Sequence, residues 1–142
     1  MGTMELATLK ELAAQDDSVF AGLTDDELTQ CADKLEVEEV LAGSTLTRQG
    51  DFSYRFFVVL DGQVEVLRDF ETLATLGAGE CFGETGVADD SPRNARVVAT
   101  ERSHVASMIG WDFRAMCDAI PTLGNRIQAL IDLRSEPSRP AD

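Results

Sequence analysis

In "MELATLKELAAQ" (residues 4–15) apolar residues recur at the period of a helix with one buried stripe. A second helical stretch, "TDDELTQCADKL" (24–35), opens with Thr24 three positions before Glu27, the spacing of a capping box. Between them "SVFAGL" predicts a turn that docks Phe20 and Leu23 on the body. From Lys34 to about Gly110 the texture changes to short, alternating runs: "LEVEEVL", "STLTRQ", "RFFVVL", "QVEVLRDF", "TLATL", "ARVVAT" and "HVASMI". Gly43, Gly50, Gly62, Gly77 and Gly79 punctuate them, and Asp61-Gly62 between two apolar runs predicts a hairpin. After Gly110 the helical period returns. Asp112 is placed to cap a short helix through Ala119, and Pro121 suits the first turn of another that sets Leu123, Ile127, Leu130 and Ile131 on one stripe.

The pattern predicts an α+β chain: an antiparallel β-roll of the jelly-roll or double-stranded β-helix kind, with about eight strands flanked by N-terminal and C-terminal helices. A length of 142 residues with 44% apolar content suits one ordinary core. The expected division is an N-terminal helical segment over 1–17, the main domain over 18–134 and a disordered tail over 135–142, "SEPSRPAD" after its first residue being rich in proline and polar groups.

Charge narrows the partners. With 26 acidic residues against 12 basic ones the formal net charge is −14, so the overall field repels phosphate backbones and anionic lipid. Nucleic acid and membrane surfaces are not expected partners, and an anionic ligand would have to be held by locally placed donors. Cys31, Cys81 and Cys117 are odd in number and lack zinc or redox spacing, which reads as free thiols in a cytoplasmic protein. His104 is the single histidine and is expected on a strand surface, while Trp111, at a strand-to-helix junction, is expected as a packing anchor. Cys81 is expected as a small buried thiol, and Gln128, Asp132 and Arg134 as a solvated face of the last helix.

One stretch stands apart: "CFGETGVADDSPRNA", residues 81–95. Gly77, Gly79 and Gly83 miss the dinucleotide fingerprint by one residue and have no βαβ unit around them, and no Walker lysine follows. The plain reading makes Gly83 and Gly86 a tight corner, Glu84 and Arg93 a surface ion pair, and Asp89 and Asp90 solvated turn residues. The functional reading combines them. Gly83 lets backbone approach a ligand, a helical turn over 84–88 offers free amide donors to an anion, and Arg93 brings a fork that matches phosphate oxygens bidentately. Glu84, which only accepts hydrogen bonds when ionised, would pair with a sugar hydroxyl rather than the anion. Such a set would recognise a small phosphorylated ribose with a hydroxyl beside its phosphate.

Here the chain resembles the cyclic nucleotide-binding domain family, whose phosphate-binding cassette reads F-G-E, eight or so residues, then R-x-A. "FGETGVADDSPRNA" follows that form from Phe82 to Ala95, and the strand-turn-strand "LTRQGDFSYRFFVVLDGQVEVL" and the helical "FRAMCDAIPTL" are also similar to the family, so that the resemblance covers most of residues 18–134. It implies roles residue by residue: Glu84 on the ribose 2′-hydroxyl, Arg93 on the cyclic phosphate, and backbone amides near Gly83, Gly86 and Ala95 on the phosphate oxygens. Thr85 and Asn94 complete the nucleotide-binding set, and Val66, Leu73 and Ala74 resemble the apolar floor under sugar and base. Asn94 departs from the Ala, Ser or Thr often found there in tight binders of cAMP or cGMP.

The implied function is binding of a 3′,5′-cyclic nucleotide, cAMP before cGMP, by a cytoplasmic sensor module with no cofactor and no metal. No nucleophile–base pair or metal cluster is visible, so a binding protein rather than an enzyme is expected. Output would pass to a homodimer partner or an effector protein through the C-terminal helix. Two rivals stand beside this reading. One is a degenerate β-roll serving as an interaction scaffold, and the other is the sensor half of a transcription regulator lacking its DNA-binding part.

Overall fold

The computed structural model describes residues 2–15, 18–47, 55–83 and 96–134. The order is β1 (Gly2–Thr3), α1 (Leu6–Ala13), α2 (Asp25–Lys34), β2 (Glu36–Val40), β3 (Thr45–Thr47), β4 (Arg55–Asp61), β5 (Val64–Arg68), β6 (Glu71–Leu76), β7 (Cys81–Phe82), β8 (Arg96–Ala99), β9 (Ser103–Ile109), α3 (Gly110–Ala119) and α4 (Pro121–Arg134). The expected helix–roll–helix order holds, with two short strands, β1 and β7, that no pattern of four or more residues marked.

Both helical signals at the N-terminal side form as expected. Thr24 Oγ1 accepts from Glu27 N at 3.2 Å while Glu27 Oε1 accepts from Thr24 N at 2.9 Å, closing the capping box that starts α2. Leu9 and Leu12 of α1 are buried, and Phe20, in the turn between the helices, is buried with them. Ser18 Oγ holds that turn by accepting from Phe20 N at 3.1 Å.

All strand pairs are antiparallel and make two sheets, β1-β2-β9-β4-β7 and β3-β8-β5-β6. The five-stranded sheet is covered on both faces. Phe56 and Val58 of β4, with Ala106 and Met108 of β9, face the helices, where the Phe56 ring stacks on Phe113 of α3 at 4.2 Å. Phe57 and Val59, one residue out of phase, face the second sheet and join Val64, Leu76, Phe82, Val97, Ala99 and Val105. This is why "RFFVVL" is continuously apolar rather than alternating: both faces of its strand are buried.

Three local expectations are corrected. The "DF" end of "QVEVLRDF" is not strand: Asp69 and Phe70 have φ of 52° and 71° and form the turn between β5 and β6. Asp112 does not cap α3, because the helix begins one turn earlier with Ile109 as the capping residue, and Asp112 lies in the first turn, where its charge suits the helix dipole. Trp111 is 71% exposed, since the position just inside α3 turns it away from the Phe113–Met116 face that packs. The last helix starts at Pro121 and buries Leu123 and Ile127, while Leu130 and Ile131 pack on the same cluster, so its stripe is taken up by the chain's own core. Cys81 is a buried free thiol, His104 sits on β9 against Asp61 at 2.9 Å, and Gln128 and Asp132 bond to each other on the exposed side of α4. The residues after Arg134, the expected tail, lie outside those described.

Two substitutions test this construction. Gly62 follows β4 with φ +89°, and an added Cβ would stand 2.7 Å from the Ser103 backbone Cα, so Gly62→Ala should lower unfolding free energy by more than about 1 kcal/mol. Thr24→Ala should cost about 1 kcal/mol by loss of the cap. Urea unfolding of each checks both, and wild-type stability in either would contradict the assigned geometry.

Burial, then the neighbouring Cys117 and Glu27, push the Cys31 thiol from 9.0 up to about 12, and burial followed by Asp118 pushes Cys117 up to about 11. The unfolded chain ionises these thiols near their ordinary value while the folded chain keeps them protonated. Their contribution is therefore full below pH 9.0 and is lost as pH rises toward 11 and 12. The expected outcome is a urea midpoint that falls between pH 9 and 11, with a smaller fall in Cys31→Ala.

Candidate functional site

On the inner face of the four-stranded sheet, Val64 lies opposite Leu76 on one side and Ala99 on the other, and all three are buried. Two residues along, Val66 lies opposite Ala74 and Val97; Val97 is buried, Val66 half-buried and Ala74 exposed. The core between the sheets is thus closed at the Val64 end and opens at the Val66 end. The register of β6 shifts at this point: Val66 faces Ala74 but Leu67 faces Thr72, so Leu73 is the additional residue of a β-bulge. Leu73 is 46% exposed. Val66, Leu73 and Ala74, named together through the family resemblance, meet at one bulge, and Val66 packs on the core between the sheets.

Gly83 marks where the chain leaves the five-stranded sheet. The Phe82 ring lies flat on that of Phe57, with centroids 4.7 Å apart and planes 4° from parallel, which anchors β7. Gly83 then takes φ 90°, a conformation that favours glycine. The chain re-enters at Arg96, opposite Leu67, with Val97 next to Val66. Residues 84–95 thus join a stacked aromatic anchor in one sheet to the position beside Val66 in the other. Glu84, Thr85, Gly86, Arg93, Asn94 and Ala95 all fall in that span and lie outside the described residues.

What the described part can do chemically follows from its side chains. Val66, Leu73 and Ala74 carry neither charge nor hydrogen-bonding groups, so they supply contact area for an apolar plate and do not orient it. Arg96 alternates with Val97 and so projects to the opposite face of the sheet. No group of three side chains able to hold a metal ion occurs among the described residues, and no helix among them is long and apolar enough to cross a membrane. The Phe57–Phe82 stack was not singled out in sequence: β5 and β6 separate the two residues, and no local pattern specifies their pairing.

Comparison with known proteins agrees with this arrangement. The cyclic nucleotide-binding domain family model matches residues 37–119, more than half of the chain. The cyclic AMP receptor protein of Thermus thermophilus is 28% identical over 121 residues, which are 82% of this chain and 56% of that protein. Human cGMP-dependent protein kinase 2 is 34% identical over 98 residues, which are 65% of this chain and 13% of that kinase. The crystal structure of the Thermus thermophilus catabolite activator protein superposes with a TM-score of 0.76 at 28% identity, over 82% of this chain and 57% of that one. The chain spans little more than half the length of the bacterial relative and a small part of the kinase. Two antiparallel sheets flanked in sequence by helices, a connection from Gly83 to Arg96 between them and a family match across both sheets agree, and the chain belongs to the cyclic nucleotide-binding domain family.

Proposed function

We propose that this chain binds a 3′,5′-cyclic nucleotide, cAMP ahead of cGMP, and acts as a non-catalytic regulatory module without cofactor or metal. The observation that carries the reading is the sequence from Phe82 to Ala95 in a member of this family: Glu84 and Arg93 stand with eight residues between them in a segment whose two ends are tied to facing sheets. Arg93 is assigned to the cyclic phosphate, Glu84 to the ribose 2′-hydroxyl, and amides near Gly83, Gly86 and Ala95 to the remaining phosphate oxygens, with Thr85 and Asn94 beside them. Val66, Leu73 and Ala74 form the floor. The preference for cAMP rests on the relative matched over the larger share of the chain, which is a cyclic AMP receptor protein.

The charge of the chain supports a local mode of recognition. At −14 the distant field opposes an anion, but salt screens exposed charges beyond about 8–10 Å, so a guanidinium in contact outweighs carboxylates across the domain. The same charge disfavours DNA as a direct partner. Output then passes to another protein, a second copy or a further domain. The cytoplasm is the compartment where such a ligand and three free thiols are compatible.

Isothermal titration with cAMP and cGMP tests the proposal. Arg93→Ala should weaken binding by about 2–4 kcal/mol, because an enclosed anion loses its charge-assisted partner. Glu84→Ala should cost less, since its partner is a neutral hydroxyl, and should erode discrimination against the 2′-O-methyl analogue. No heat with either nucleotide, or unchanged affinity in Arg93→Ala, would overturn the assignment.

A further inference from the structure

The outer edge of β6 has a composition that edge strands ordinarily avoid. Among the described residues no strand pairs with that edge, and Glu71 to Thr75 are all exposed. Edges of this kind are usually guarded by lysine, proline, a β-bulge or a cover, and of these β6 has only the bulge at Leu73 among the described residues. β6 has neither Lys nor Pro and bears one charge, Glu71, in a chain with 26 acidic residues. At its start, Phe70 is 93% exposed and held at φ 71°, a region where a bulky side chain is strained. Such strain persists where the surrounding structure holds it and often where it serves a contact.

The backbone direction along β6 follows from its neighbours. Thr100 N donates to Gln63 O at 3.0 Å, so Gln63, Glu65 and Leu67 turn their backbone groups toward β8, and Val64, Val66 and Arg68 turn theirs toward β6. Leu76, Ala74 and Glu71, which face these last three, bond within the sheet. Thr75 faces Glu65 and Thr72 faces Leu67, so both threonines present N–H and C=O outward. They are three positions apart, and only the bulge at Leu73 allows both to face the same way.

We propose that β6 is a self-pairing edge, at which two copies of this chain join antiparallel about the Leu73–Ala74 step. Its own sequence is the best match for it. Thr72 of each copy meets Thr75 of the other, both outward-facing, so that each pair exchanges two hydrogen bonds and matches threonine with threonine. Glu71 meets Leu76, so no like charges are opposed. Phe70 meets Gly77, where an added Cβ would find nothing within 4 Å, and the exposed ring has room to lie over a bare edge glycine. Self-pairing places a glycine opposite Phe70 and an uncharged residue opposite Glu71 in both copies at once. The pairing uses the outward backbone groups of Thr72 and Thr75, whereas the proposed floor uses the side chains of Val66, Leu73 and Ala74, so the pairing is tested on the chain without nucleotide.

Sedimentation equilibrium of the whole chain tests this. The expected result is a concentration-dependent dimer that tightens between about 0.15 and 0.5 M salt, as screening weakens repulsion between two acidic copies. Thr75→Pro removes an outward N–H that no described strand uses, and should weaken the dimer about tenfold or more while the urea midpoint of the monomer is kept. Phe70→Gly should weaken the dimer yet raise the thermal midpoint of the monomer, because glycine accepts the left-handed turn; a general loss of folding would lower both. A chain that stays monomeric at every concentration and salt, or a dimer indifferent to both substitutions, would overturn the proposal.

Discussion

The structure depends on β4 being buried on both faces. Arg55–Asp61 is the strand through which the two cores touch: Phe56 and Val58 pack with the helices, Phe57 and Val59 with the second sheet. A strand in this position has no solvent face to place a polar residue on, and a one-residue slip would exchange the two sets of side chains. Two aromatic stacks fix it against that slip, Phe56 on Phe113 toward the helices and Phe57 on Phe82 toward the roll. Removing either ring's contact would cost the lost transfer energy and leave a cavity, an effect on the order of 3–5 kcal/mol for a buried phenylalanine.

The site inherits its position from that strand. Phe82, held on Phe57, sets where β7 ends and where Gly83 turns the chain away, while β8 returns next to Val66 on the other sheet. Residues 84–95, which include Glu84 and Arg93, thereby connect two anchored ends, Gly83 and Arg96. In the proposed site labour is divided: the floor would give area and little selectivity, whereas charge-assisted hydrogen bonds from one arginine and a few amides would give the strength and the orientation. In a chain of net charge −14 that division is required, since only donors in contact with an anion can offset the field of the rest.

Much of this was legible because it is local. The capping box at Thr24 and Glu27, the glycine turn after Asp61, proline at the start of α4 and the spacing of Glu84 from Arg93 are each written within a dozen residues. What escaped depends on partners distant in sequence or on conformations the residue type does not advertise. Phe70 occupies a left-handed turn position that glycine or asparagine would have announced. β7 is two residues long and exists because β4 lies beside it. The bulge that gathers Val66, Leu73 and Ala74 is a matter of register, which alternation alone does not encode; those residues were named through family resemblance and their grouping came from the strand pairing. Trp111 was misassigned because its size suggested packing, whereas the face of α3 that packs is set by Phe113 and Met116 and excludes it.

The central claim is that a cyclic nucleotide lies on the floor made at the β6 bulge. The most direct test is nuclear magnetic resonance on methyl-labelled protein saturated with cAMP, reading intermolecular Overhauser effects from ligand protons. The account predicts effects from the ribose and adenine protons to the methyl groups of Val66, Leu73 and Ala74, lost when excess cyclic nucleotide of another base displaces the first. Saturable binding that produces no effect at any of these three methyls, with contacts only to residues outside β5, β6 and the 84–95 connection, would contradict it.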